Sequence, residues 1–279
     1  MFRKMAGRNR IRGFTLIELI IVILLIGILA GVVVTILYGP VRASFDIQDR
    51  AELVDIAETA LQRMTREIRL ALPNSIRITG SNQGVEFLRT ADGGRYRADP
   101  PPGNLRLRFN NSPQGVDGEF EVLGGLLRVA ALPDCAPLCL LVIYNTGQPG
   151  ANAYNGDNSA NIQGFGSSPT TIDFQRPSGT GFPYESPQQR FQIVDTPVSF
   201  ICDPGTGEGE VTRFDNYAVD GNPAAGNANL LIDKVTACNF SYQPGSATRS
   251  GLVSIRLTIE ADNGQSIELF QQAHVDNQP

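Results

Sequence analysis

Lysine and histidine are nearly absent from this chain. Lys4 and Lys234 are its lysines, and His274 is its one histidine. A single histidine beside a chain end supplies no Ser/His or Cys/His pair, which nucleophilic catalysis needs. No G-x-S-x-G and no H-E-x-x-H stretch occurs either, so the common hydrolase and metalloprotease layouts are excluded. The sequence therefore reads as that of a non-enzyme, with His274 an ordinary residue of a terminal strand. Charge is missing altogether from Leu19 to Val41. A run of that length, almost all Ile, Leu, Val, Ala and Gly, is long enough for a helix to cross the hydrocarbon of a bilayer.

Positive charge is scarce outside the beginning of the chain. Arg3, Lys4, Arg8, Arg10 and Arg12 precede the apolar run with no acid among them. Removing those five from the 23 Lys and Arg leaves 18 against 28 acids. The basic flank keeps the short N-terminus cytoplasmic, and the large acidic remainder is exported. An acidic exported part lacks the basic surface of a nucleic-acid binder.

Four cysteines are present, Cys135, Cys139, Cys202 and Cys238. In an exported domain an even number reads as disulfides. Three pairings are open. The reading favoured is Cys135 with Cys139, closing a small loop, and Cys202 with Cys238, joining two strands. A zinc site competes with this, although the spacing lacks paired C-x₂-C motifs.

The opening run carries one awkward residue. Glu18 lies almost at its start, where a carboxylate set deep in lipid costs roughly 2–3 kcal/mol. A plain anchor does not explain it. A signal peptide would place a small-residue cleavage site after the apolar core. Here a glycine, Gly13, stands before the core.

Arg12-Gly13-Phe14-Thr15-Leu16-Ile17-Glu18-Leu19 resembles the processing motif of type IV prepilins and type II secretion pseudopilins. The resemblance implies a leader, 1–13, cut off after Gly13 by a prepilin peptidase, followed by N-methylation of Phe14. It implies a membrane helix, 14–38, that later becomes filament core. Glu18 then acts in subunit assembly, its carboxylate meeting the Phe14 amine of its own or a neighbouring subunit and offsetting part of its desolvation.

The helix is expected to continue over 39–73. Pro40 marks a kink. Leu53, Ala57, Ala60, Leu61, Met64, Ile68, Ala71 and Leu72 form an apolar stripe for a core, and Pro73-Asn74 ends the helix. From residue 74 to 279 the period changes to two. Short antiparallel strands are expected at "VEFLR", "RYRA", "LRLRF", "EFEVL", "LLRVA", "LCLLVIYN", "FQIVD", "VSFICD", "VTRFD", "NLLIDKV" and "CNFSYQ", with a closing hairpin turning at Asp262-Asn263-Gly264. Residues 146–190, rich in Gly, Asn, Ser and Pro, read as a long surface loop insertion. The fold class is α+β: a long N-terminal helix packed on a β-rich periplasmic head.

Smaller features carry less. Gly205 to Gly209 lacks the Lys-Ser/Thr ending of a phosphate loop and reads as a hairpin turn. Asp215 to Asn227 holds acids and amides that could take calcium but lacks EF-hand spacing. It is the one cofactor candidate, and no other cofactor or metal is expected. Arginines at alternating positions in "LRLRF" and "RYR" read as a solvated sheet face paired with acids, or as a protein interface.

Later stretches resemble a narrower group. "RMTREIRLALPNSIRI", "GGRYRA", "LVIYNTG", "FQIVDTPVSFICDPGTG" and "QQAHVDNQP" are similar to the MshO group of minor pilins, which serve biogenesis of mannose-sensitive haemagglutinin pili. That resemblance implies a low-copy subunit of the bacterial inner membrane and then the pilus. Its partners would be the prepilin peptidase, major and other minor pilins, the inner-membrane assembly platform and a cytoplasmic assembly ATPase. A J-like minor pseudopilin of type II secretion and a pilus-tip adhesin are the competing readings.

Overall fold

The computed structural model describes residues 14–98, 105–109, 117–167, 170–177, 180–205, 208–245, 249–261, 263–276 and 278–279. The expected leader and Gly13 lie outside the described residues. The chain divides into two compact units, Met1–Ala51 and Glu52–Pro279. One helix, α1 (Leu16–Ile68), runs through both, with Pro40 inside it and no interruption of the helical backbone. Twelve strands follow among the described residues: β1 (Arg77–Thr79), β2 (Gly84–Tyr96), β3 (Asp117–Leu123), β4 (Leu140–Ile143), β5 (Ser159–Ser167), β6 (Thr170–Gln175), β7 (Arg190–Asp203), β8 (Glu210–Asp215), β9 (Asn227–Ile232), β10 (Val235–Gln243), β11 (Gly251–Glu260) and β12 (Ser266–Val275). The layout is α+β with an antiparallel, β-rich domain.

In the first unit, the large apolar side chains from Leu16 to Val41 are all exposed. Leaving one such side chain in water costs about 1.5–3 kcal/mol. Some twenty together demand lipid or other protein. Of the described helices, α1 alone is long and apolar enough to cross a membrane.

In the second unit, Leu53, Ala57, Ala60, Leu61, Met64 and Ile68 are buried at helical spacing. They form one core with Phe87, Val198, Phe200, Phe240, Ile255 and Leu257, drawn from both sheets. The helix stops at Ile68, before the expected Pro73-Asn74. The cause is competition for backbone groups. Leu70 and Ala71 tighten the last turn by donating to Glu67 and Ile68 carbonyls at 2.9 and 3.0 Å. The next residues are already paired to β2: Leu72 N–H donates to Leu88 O at 2.7 Å, and Thr90 N–H to Leu70 O at 2.8 Å.

Strands β2 and β7 are long and organise the head. They pair from Gly84↔Ile201 to Arg95↔Arg190, with irregularities around Thr90. The expected strand "VEFLR" and the first two residues of "RYRA" belong to one strand, which ends at Tyr96, and "FQIVD" and "VSFICD" belong to another. At one end the pair lies in the core under α1. At the other it closes a ring. β2 pairs β3, β3 pairs β6, β6 pairs β5, β5 pairs β4, and β4 pairs β7, which returns to β2. Closure removes sheet edges and encloses its own core. Tyr96, Phe120, Phe174, Phe182 and Phe191 fill that core, with ring centroids 5.4–6.5 Å apart along the chain of contacts.

This ring overturns the reading of 146–190 as a loop insertion. The segment contributes β5 and β6, and Ile162, Ile172 and Phe174 are buried. Glycines and polar residues hide the strand pattern because only three or four positions face the core. Two other expected strands are irregular. Leu105–Phe109 reaches the ring through scattered bonds, such as Leu107 N–H to Arg97 O at 2.9 Å. Residues 126–130 instead wrap the carboxylate of Asp92.

The second sheet, β10-β11-β12, is a separate antiparallel sheet. Cys202 on β7 and Cys238 on β10 are joined, tying the two sheets together, with Cα atoms 6.6 Å apart. A bridge closing a loop of this length stabilises by about 3–4 kcal/mol in the chain-entropy view. Cys135 and Cys139 are joined beside the ring core, with Cα atoms 4.8 Å apart.

Candidate processing and assembly site

The site is the beginning of α1. Phe14 and Thr15 are non-helical, and the helix starts at Leu16. Thr15 caps it. The Glu18 N–H donates to Thr15 Oγ1 at 3.3 Å, and the Leu19 N–H donates to Thr15 O at 3.2 Å. The first satisfies a donor that a helix start otherwise leaves orphaned, and the second is the first bond of the helix ladder. Thr15-Leu16-Ile17-Glu18 also has the composition of a capping box, Ser/Thr followed three residues later by Glu. Glu18 is the acidic residue of the first turn, where the helix dipole favours negative charge. Its presence thus has a local cause as well as the assembly role expected for it. Thr15 is the residue that sequence reasoning passed over, although the T-x-x-E signal before an apolar run was there to be read.

Phe14 is 77% exposed, one residue ahead of the cap. Glu18 is exposed too. They stand four positions apart in the sequence, with Phe14 and Thr15 ahead of the first helical residue. A free amine created at Phe14 would therefore lie close along the chain to the Glu18 carboxylate. Such an amine would also meet the positive end of the helix dipole, a repulsion the carboxylate offsets.

The other sequence candidates lie in the head. His274 is an exposed residue of β12, opposite Leu252. The two ends of the Gly205–Gly209 stretch are pinned to Val235. Gly205 N–H donates to Val235 O at 3.0 Å, and Val235 N–H donates to Gly209 O at 2.9 Å. A Cβ on Gly209 would collide with the Val235 carbonyl, so only glycine fits. In the proposed calcium stretch, Asp215 pairs with Arg213, and Asp220 accepts from Arg77 at 2.7 Å. Among the described residues no group of three or more His, Cys, Asp or Glu is placed to hold a metal.

The arginines do more than coat a sheet face. Arg213 on β8 is only 5% exposed and donates to Glu67 of α1 at 2.7 Å and to Asp215. It clips the last helical turn to the sheet. Arg89 forks onto Asp195 at 2.7–3.2 Å, linking β2 to β7. Arg97 forks onto Glu121 at 2.6 and 2.9 Å.

No curated protein and no solved structure matches the chain. Residues 8–34 match the family model described as the prokaryotic N-terminal methylation motif. That segment contains the capped helix start, Phe14, Glu18 and most of the exposed apolar run. Together the motif and the apolar helix support a type IV pilin-like protein and fit membrane anchoring.

Proposed function

We propose that this chain is a minor, low-copy type IV pilin that helps prime or assemble a pilus of the mannose-sensitive haemagglutinin type. A prepilin peptidase cuts after Gly13 and methylates Phe14. The head stays on the periplasmic side of the inner membrane, held by a single span, until an assembly platform and fellow pilins draw the helix into a filament. Glu18 then pairs with the Phe14 amine of a neighbouring subunit.

The observation that carries this reading is the start of α1: an exposed apolar helix with Glu18 in its capped first turn and Phe14 just ahead of it, inside the matched motif. The large β-rich head agrees with a specialised subunit rather than a repetitive one. The decisive measurement is mass spectrometry of purified pili. The chain should be present at low copy, begin at a methylated Phe14 and hold both disulfides. A mature chain starting at Met1 defeats the proposal, and absence from pili with presence in a secretion apparatus moves it to a pseudopilin. Glu18→Leu should abolish incorporation into filaments while membrane insertion persists.

A further inference from the structure

A cavity of about 340 Å³ lies beside the end of α1, against the part of β2 and β7 that enters the ring. Arg69, Arg128 and Arg190 line it. Elsewhere on the head Arg77, Arg89, Arg97, Arg213 and Arg256 each hold a carboxylate. The three cavity arginines form no ion pair among the described residues.

The acids of the wall are engaged by backbone donors. Asp92, also in the wall, has both oxygens occupied by backbone: Oδ1 by Gly93 N–H at 2.8 Å, and Oδ2 by the N–H groups of Leu127, Arg128 and Val129 at 2.9, 2.6 and 3.1 Å. Burial alone would raise its pKa, but these four donors outweigh it and hold the carboxyl below its usual range. Asp276, the other acid of the wall, accepts the Gln278 N–H at 3.0 Å. Three guanidiniums against two carboxylates leave the cavity positive on an otherwise acidic head.

Two further atoms are left over. Thr90 and Gln192 line the same cavity, and their side-chain oxygens, Thr90 Oγ1 and Gln192 Oε1, are shut off from solvent with no hydrogen-bond partner among the described residues. A buried acceptor without a donor is costly, and such groups in native proteins call for an explanation. The rim is apolar, with Leu70 and Leu127 in it, and Leu127 is 92% exposed. None of the lining residues is aromatic, so a sugar ring finds no stacking platform.

We propose that this cavity binds an acidic peptide segment of a partner protein. The carboxylate meets the arginine forks, and an apolar neighbour covers Leu127. The inference concerns the head alone and does not depend on how the N-terminus is processed.

The test uses the full chain, isotopically labelled, in detergent micelles. It is titrated with acetyl-Leu-Asp-Glu-amide, its Leu-Asn-Gln counterpart, glucuronate and inorganic phosphate, and read by the amide resonances of Thr90, Gly93, Leu127 and Gln192. The acidic peptide should bind saturably and more tightly than the other three. Replacing the cavity arginines together (Arg69→Gln, Arg128→Gln, Arg190→Gln) should weaken it about tenfold or more while thermal unfolding stays unchanged. Equal binding of the neutral peptide, stronger binding of glucuronate, equal binding of phosphate, or no saturable binding would each overturn the proposal.

Discussion

The two halves of α1 share a backbone and differ in what surrounds them. From Leu16 to Val41 the large apolar side chains are exposed on all sides; from Leu53 to Ile68 they form a buried stripe with charged residues between. The first half is apolar all round, as a helix is when its surroundings are apolar all round. The second is amphipathic because a sheet covers one face and water the other. Helical propensity does not distinguish them. The environment that each face must satisfy does.

The largest expected contrast comes from placing a carboxylate in each half. Met64→Asp buries a charge in the head core and should leave the head unfolded, since an unpaired buried ion costs several kcal/mol. Leu25→Asp should leave head unfolding, followed by circular dichroism in detergent, where it is. Equal losses would mean that the first half also packs on the head.

Next in size is the clip that fixes the end of the second half. Arg213→Ala leaves Glu67 and Asp215 facing an empty buried position, and should destabilise the head by about 3–5 kcal/mol. Arg213→Met should recover part of this, because it fills the space without a charge. A loss under about 1 kcal/mol would reduce the bridge to a surface contact.

Acid should separate the halves more gently. Asp92 has a lowered pKa in the folded head, so its contribution is complete above the unfolded carboxylate value of about 3.9 and is lost as pH falls through the folded value. Asp92→Asn should remove this acid sensitivity and cost about 1–3 kcal/mol at neutral pH. The helicity of the first half should not follow it. A variant with the parental pH dependence of unfolding would show that another carboxylate governs acid stability.

The smallest effect belongs to the first half alone. Thr15→Ala removes the cap, which costs about 0.5–2 kcal/mol locally. Amide exchange at Glu18 and Leu19 should quicken while the melting temperature of the head is unaffected. Thr15→Ser should restore protection.

Much of this was legible from residue order. The helix-to-strand change near residue 74, the buried stripe on α1 and the closing hairpin all follow from periodicity, which is a local property. Periodicity failed where few positions face a core. In "SANIQGFGS" and "TTIDFQ" the buried Ile162, Ile172 and Phe174 are too sparse to announce strands, and they become strands by pairing with β3 and β4. It also misled in "LLRVA", where the backbone donors go to one carboxylate instead of a neighbouring strand. At the start of α1 the T-x-x-E spacing carries the cap, and the bond itself runs from the Glu18 N–H to Thr15 Oγ1.

By itself, then, the sequence determined the parts that depend on neighbours along the chain: the exposed apolar helix, the methylation motif at residues 8–34, the amphipathic stripe and most strands. Only tertiary structure decided that β2 and β7 are single strands shared by two cores, that 146–190 helps close a ring, and which arginines keep a carboxylate. The physical reason is range. Capping and periodicity act over a few residues, whereas ring closure, the Glu67–Arg213 clip and the cavity arginines depend on groups that only the folded chain brings together.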